Sequence, residues 1–305
     1  MQQTNARCLV VGHVTHDRYE GGVAAGGCAF YGARAQHGLG AAVHLLAVVG
    51  EDFTCGEAIA DLDKTVIRDG ETTVFANFYP DDGPRVQLVE TVAPDVTLEM
   101  YDGELDDFDF VHLAPVLGEI DLSAALELVP ESVDVGINVQ GWIKRPGPRL
   151  DEVDVHRARE RGIDVTARRV VQEPWRVDPE QLVGVTAASM STEDLLEQGD
   201  LLARLKQAIE VVVVTNGIHG SSVFFDGECW EVGVYETDEV DPTGAGDVFA
   251  ATLYERLAAD DDPVEAARLA SAAASIAVEA EGPGALHRLG EAFDRADHIP
   301  AERIT

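Results

Sequence analysis

Asp241-Pro242-Thr243-Gly244-Ala245-Gly246-Asp247 is the stretch of this sequence with the most chemical content. Two glycines flank an alanine just before the apolar helical run Val248 to Leu257. Successive backbone N–H groups can then converge on one point, where the helix dipole also favours negative charge. Such a turn binds an anion. A carboxylate in the same turn repels a phosphate, so Asp247 needs a reason of its own, and a base aimed at a hydroxyl held beside the phosphate supplies one. A plain glycine turn with an aspartate in the first helical turn also satisfies the dipole. For a bare G-x-G that simpler account would stand; the complete seven-residue string favours the chemical one.

The elements that must position this turn follow from periodicity. Short β-rich runs at Cys8 to Val14, Val43 to Val49, Phe108 to Leu113, Val133 to Val139 and Val211 to Thr215 alternate with helical patterns. This alternation predicts parallel strands joined by crossover helices. Val211 to Val214 is β-branched throughout and belongs at the centre of a sheet covered on both faces. Helices are expected at Leu122 to Leu128, Glu193 to Leu196, Leu201 to Ile209, Ala245 to Leu257, and from Pro263, capped by Asp262, to about Glu279. Together these make a doubly wound α/β domain with a mostly parallel sheet. One segment breaks the rhythm. Thr72 to Phe78 alternates like a half-exposed strand, Pro80 to Pro84 reads as a turn, and Arg85 to Val89 returns. A hairpin of this kind can cover a ligand cleft as a lid. No repeat or long linker divides residues 1–305, so one domain with a small β lid at about 14–25 and 71–90 is expected.

Composition narrows the function classes. Apolar residues make up 46% of the 305 positions, which suits a folded chain with a sizeable core. The net charge of −34 runs the length of the chain, as in Glu104 to Asp109 and Asp260 to Asp262. A field of that sign repels nucleic-acid backbones and anionic lipid surfaces. It also pushes the folded chain apart unless salt screens it, so a high-salt cytoplasm and a fold lost on dialysis are expected. The four cysteines, Cys8, Cys28, Cys55 and Cys229, are widely spaced and lack zinc-site spacing. The start of the chain shows no apolar signal region, and no stretch reaches the roughly 20 apolar residues of a membrane span. A cytoplasmic location is expected. There is no G-x-x-x-x-G-K-[ST] string, and no G-x-G-x-x-G opens a helix after the first strand.

At the 241–247 string the sequence resembles the ribokinase-like (PfkB) family of carbohydrate kinases, whose signature reads D-T-x-G-A-G-D. The resemblance implies that Asp247 is the catalytic base and that Gly244, Ala245 and Gly246 form the anion hole. It extends along most of the chain. Gly26-Gly27, in a run ending Gly38-Leu39-Gly40 before Val49-Gly50-Glu51-Asp52, is similar to the family's N-terminal signature, where the double glycine touches the sugar. Asp17 falls where the family places a carboxylate for substrate hydroxyls. Thr215, Asn216 and Gly217 with Gly220 resemble the turn that contacts ATP, and Thr243 is assigned to the same nucleotide. ATP and Mg2+ are therefore implied, with a monovalent cation such as K+ near Asp241 left open, as is a homodimer formed through the lid.

Two departures stand out. Cys28-Ala29-Phe30-Tyr31 occupies the place of the family's asparagine after the double glycine, and the N-x-x-E segment is reduced to Ser189-Met190-Ser191-Thr192-Glu193. Glu193 keeps an indirect role toward magnesium, through water. Within the family the inositol kinase branch is most similar, on Glu71-Thr72-Thr73-Val74-Phe75, Asn138-Val139-Gln140 and the two motifs above. Asp17, Gly26, Gly27, Asn138 and Gln140 are thus the expected substrate contacts. They suit a neutral polyol, with myo-inositol first; fructose, 2-keto-3-deoxygluconate or a nucleoside are the alternative acceptors. Arg34, Arg85 and Lys144 are the few cations that could recognise a phosphorylated or carboxylated acceptor, although solvation at the surface is the expected fate of each. A catalytically silent sugar- or nucleotide-binding regulator is the rival from another class; a retained Asp247 speaks against it.

Overall fold

The computed structural model describes residues 6–79 and 85–304, so the turn expected at Pro80 to Pro84 lies outside the described residues. The strands, in chain order, are β1 (Arg7–His13), β2 (Thr15–Tyr19), β3 (Gly22–Gly26), β4 (Ala42–Val49), β5 (Asp63–Arg68), β6 (Val74–Phe78), β7 (Val86–Val89) and β8 (Phe110–Leu113). They continue with β9 (Asp134–Asn138), β10 (Lys144–Arg149), β11 (Arg168–Gln172), β12 (Ala187–Ser191), β13 (Val211–Thr215), β14 (Ser221–Phe225), β15 (Glu228–Val232) and β16 (Ala301–Arg303). The helices are α1 (Cys28–Leu39), α2 (Leu122–Leu128), α3 (Gln140–Ile143), α4 (Glu152–Glu160), α5 (Leu201–Ala208), α6 (Ala245–Leu257), α7 (Pro263–Ala277) and α8 (Ala292–Ala296).

Ten strands form the main sheet in the order β16-β15-β14-β13-β12-β9-β8-β1-β4-β5. From β13 to β5 every neighbouring pair is parallel, and β14 to β16 extend one edge antiparallel. Successive side chains on a strand point to opposite faces, and the central valines split accordingly. Val211 and Val213 join the core beneath α1, α6 and α7, while Val212 and Val214 join the one containing α2 and α5. This is the doubly wound α/β arrangement. Asp262 caps α7 through Oδ1, which accepts from the N–H groups of Val264 at 2.9 Å and Glu265 at 3.3 Å.

The second sheet is larger than a hairpin. Its order is β10-β11-β7-β6-β2-β3, so residues 144–149 and 168–172 join the segments picked out by the sequence pattern. α4 covers it: Ala158 packs in one cluster with Ala76 and Leu88. Cys28 to Leu39 forms α1, with nine of its twelve residues buried. One other expectation changes. Glu193 to Leu196 is a run of turns rather than a helix. There Asp194 Oδ2 accepts from both the N–H and the hydroxyl of Ser191, a local alternative to helical bonding, and Glu197 has a φ of 63°. Among the described residues no helix is long and apolar enough to cross a membrane.

The parallel strands β1, β9, β12 and β13 all end at one edge of the main sheet. Beyond those carboxyl ends come β2, α3, the turns after Ser191 and the loop after Thr215. Ligands of open α/β sheets bind in this position.

Candidate active site

α6 begins at Gly244, which has a φ of 81° and whose Cβ, were one present, would lie 2.4 Å from Tyr31 Cε1. Asp241 prepares the turn by accepting from Thr243 N–H at 3.0 Å and, through its other oxygen, from Gly282 N–H at 2.8 Å. Of the three amides expected in the anion hole, Ala245 N–H already donates to Pro242 O at 3.2 Å. A first helical turn has no intrahelical acceptors for its N–H groups, so the amides of Gly244 and Gly246, and that of Asp247 beside them, which have no backbone acceptor among the described residues, remain for a ligand. A Cβ on Gly246 would meet nothing within 4 Å. No protein contact among the described residues demands glycine there, whereas close approach of a phosphate to the backbone would.

Asp247 projects from this turn toward the ends of β9 and α3. Its Oδ1 accepts from Asn138 Nδ2 at 3.2 Å and from Gln140 Nε2 at 2.8 Å. Gln140 Nε2 also lies 3.0 Å from Cys28 Sγ. Burial pushes the Asp247 carboxyl above the usual carboxylate range, opposed by Cys28, Lys144, Arg85 and Asn138. Both amide donors take Oδ1, and the Cys28 thiol also bonds this carboxyl; among the described residues no amide donates to Oδ2.

Asp17, on β2, is buried and accepts from Thr15 Oγ1 at 2.8 Å. Burial pushes its carboxyl up to about 7. Gly26 makes room for it: a Cβ there would stand 2.3 Å from the Asp17 carboxyl carbon. Gly27, with a φ of 91°, turns the chain into α1. The double glycine therefore lets a carboxylate sit against the backbone where β3 meets a helix.

Three connected spaces surround these groups. A cleft of about 540 Å3 is lined by Thr215, Asn216, Gly217, Glu193 and the start of α6. Sharing Thr215, Gly217 and Gly246 with it, a second space of about 540 Å3 has a largely apolar wall of Val234, Tyr235, Phe249, Ala274 and Val278. The third is a chamber of about 50 Å3 that holds Asp17, Gly27, Cys28, Gln140 and Lys144. Asp247, Gly244, Gln140 and Arg85 line both the first cleft and this chamber, so Asp247 stands at their junction.

Most of the residues singled out in the sequence converge here. Thr243 lies on the small chamber beside Asp17, its Oγ1 2.9 Å from Tyr79 Oη, and not on either larger space. Gly26 backs Asp17 without lining the chamber. Gly220 lines the second space, yet it is a structural requirement of the β13–β14 turn: its φ is 88°, and a Cβ there would lie 2.1 Å from Val232 O. Among the described residues no group of three or more His, Cys, Asp or Glu could hold a metal ion. Glu193 lines the wall of the first cleft.

The expectation for two cations is overturned. Lys144 is 7% exposed and faces the small chamber, and Arg85 lines the same chamber. Arg34 is half-buried and pairs with Asp61 at 2.6 Å, away from the chamber. The available signal was scarcity: Lys144 is one of three lysines in the sequence and lies four positions after Gln140. His112, buried behind Asn138 with Nε2 2.9 Å from Asn138 Oδ1, carried no sequence signal at all.

Residues 181–288 match the family model described as pfkB family carbohydrate kinase. Over these residues the chain is similar to the pfkB family. Over 70 residues it is 44% identical to a 2-dehydro-3-deoxygalactonokinase of Haloferax volcanii, a match spanning 23% of this chain and 21% of that relative's length. Over 293 residues it is 28% identical to an inositol 3-kinase of Arabidopsis thaliana, covering 90% of this chain and 74% of the relative. A solved pyrophosphate-dependent kinase of the ribokinase family superposes with a TM-score of 0.72 at 18% identity, covering 95% of this chain and 99% of that one. It shares the fold described above.

Proposed function

We propose that this chain transfers a phosphoryl group from ATP to a hydroxyl of a small polyol or sugar, with myo-inositol the first acceptor to test. The carrying observation is the position of Asp247, between a cleft with free amides and a small chamber lined by polar side chains. An acceptor in the chamber would offer hydroxyls to Asp17, and the reacting one to Asp247 Oδ2, which takes its proton as the new O–P bond forms and the bond from the γ-phosphorus to the bridging oxygen breaks, releasing ADP. Phosphoryl transfer runs through a loose transition state, so positioning and charge stabilisation supply most of the rate. The Gly246 and Asp247 N–H groups would hold the transferring oxygens. Mg2+, when bound, would neutralise charge on the phosphates.

The donor reading rests on the second space. Its apolar wall suits a nucleobase, which pyrophosphate lacks. The inositol reading rests on the 28% identity to the inositol 3-kinase over 90% of the chain. Lys144, buried, and Arg85, half-buried on the same chamber, favour a second acceptor class, a sugar acid such as 2-keto-3-deoxygluconate, because a cation drawn out of water is best matched by an anionic group. The test is ATP consumption in high-salt buffer over a panel of myo-inositol, fructose, sugar acids and nucleosides, with Asp247→Asn alongside. The variant is expected to bind nucleotide normally and lose about 10²- to 10⁴-fold in turnover. Equal turnover by both proteins removes Asp247 from its role, and a panel with no active acceptor favours the silent binder.

A further inference from the structure

Two amide side chains donate to the same oxygen of Asp247. Each amide has a donor end and an acceptor end of nearly the same shape. Rotated by half a turn, either would set a carbonyl oxygen against the carboxylate. What holds them the right way round lies one residue further back.

Behind Asn138 stands His112, fully buried on β8, with Nε2 2.9 Å from Asn138 Oδ1. Its Nδ1 has no partner among the described residues. A neutral imidazole carries one proton, and on Nε2 that proton meets the amide oxygen. Burial pushes this histidine down to about 4, which keeps it neutral over the working range. Behind Gln140 stands Lys144, whose Nζ donates to Gln140 Oε1. An ammonium has three donors and no acceptor, so it admits one orientation of the glutamine amide.

We propose that His112 and Lys144 are positioning residues that lock the amides of Asn138 and Gln140 with their N–H groups on Asp247 Oδ1, so that Oδ2 is the oxygen presented to the acceptor hydroxyl. The two relays enter from different elements, β8 through β9 and β10 through α3, and meet on one atom. A histidine kept for packing alone would need no alignment of Nε2 with an amide oxygen. The proposal rests on Asp247 being the proton acceptor, but its test does not require a known substrate.

The test is the titration of the Asp247 carboxyl carbon, read by NMR in the ligand-free protein and assigned by its loss in Asp247→Asn. Asp17, Cys28, Arg85 and Lys144 also face this carboxyl, so every variant is compared at fixed salt with those groups intact except the one replaced. His112→Leu is expected to raise the midpoint by about half a pH unit or more, because a donor to the ionised form is loosened. In an Asn138→Ala background the same change should have no effect. His112→Gln, which can still donate, should restore much of the wild-type value and covers the case in which the leucine variant does not fold. Lys144→Met should raise the midpoint more than Lys144→Arg. Part of that rise should vanish in a Gln140→Met background, the remainder being lysine charge acting through space. Shifts of the same size with and without Asn138 and Gln140, or no shifts, would overturn the relays. Failure of the kinase panel with these shifts present would instead count against the choice of acceptors. Once an acceptor is known, His112→Leu should lower kcat about tenfold with KM for ATP unchanged.

Discussion

Asp17 lies 5% exposed on β2 with Thr15 Oγ1 as its hydrogen-bond donor, and burial pushes its carboxyl from 3.8 up to about 7. Asp247 and Asp241 add to the rise, while Thr15 and Arg85 oppose it. Below pH 3.8 the group is protonated in the folded and unfolded chains and has no effect on stability. Between 3.8 and about 7 the unfolded chain ionises first, so stability falls as pH rises; above about 7 the loss is complete. Each pH unit is worth about 1.4 kcal/mol, which places the full penalty on the order of 4 kcal/mol. Asp17→Asn keeps an oxygen for the Thr15 hydroxyl and cannot ionise. It should therefore unfold like the wild type near pH 4 and be more stable by about 2–4 kcal/mol at pH 8. The assay is urea unfolding at fixed high KCl across pH 4 to 9, with acceptor binding measured in parallel. The variant should lose acceptor affinity while gaining stability. A stability difference independent of pH would refute the reasoning, because the argument depends on a carboxylate that is costly to ionise in the free protein.

Gly244→Ala should destabilise the fold by about 1–3 kcal/mol and remove activity, since both the positive φ and the Tyr31 ring oppose a side chain there; the urea midpoint reads this directly. Ala274→Phe, which fills part of the apolar space, should raise KM for ATP by about tenfold or more and leave acceptor KM unchanged. Indifference to that change would point to a donor without a base. With a net charge of −34, the melting temperature should fall as KCl is dialysed from molar to millimolar, because the screening length grows from about 3 Å at 1 M to about 30 Å at 0.01 M. A flat response would reject the high-salt reading.

The sequence by itself determined what depends on neighbours in the chain. The 241–247 turn was legible because a left-handed residue at Gly244 and an open backbone at Gly246 both call for glycine. The doubly wound sheet was legible because Val211 to Val214 can be buried on two faces only at a sheet centre. Glu193 to Leu196 has helical periodicity, but the bonds between Ser191 and Asp194 compete with helical ones and no local pattern announces them. What the tertiary structure decided is the meeting of distant groups. His112 pairs with Gly136 across parallel strands, which sets it beside Asn138, two residues further along the same face; a different register would separate them. Lys144 and Arg85 read as solvent-facing cations until β10 and the segment before β7 placed them around one chamber. Residue type and local spacing announce a base and an anion-binding turn, but the burial and the partners that tune that base exist only after the strands have paired.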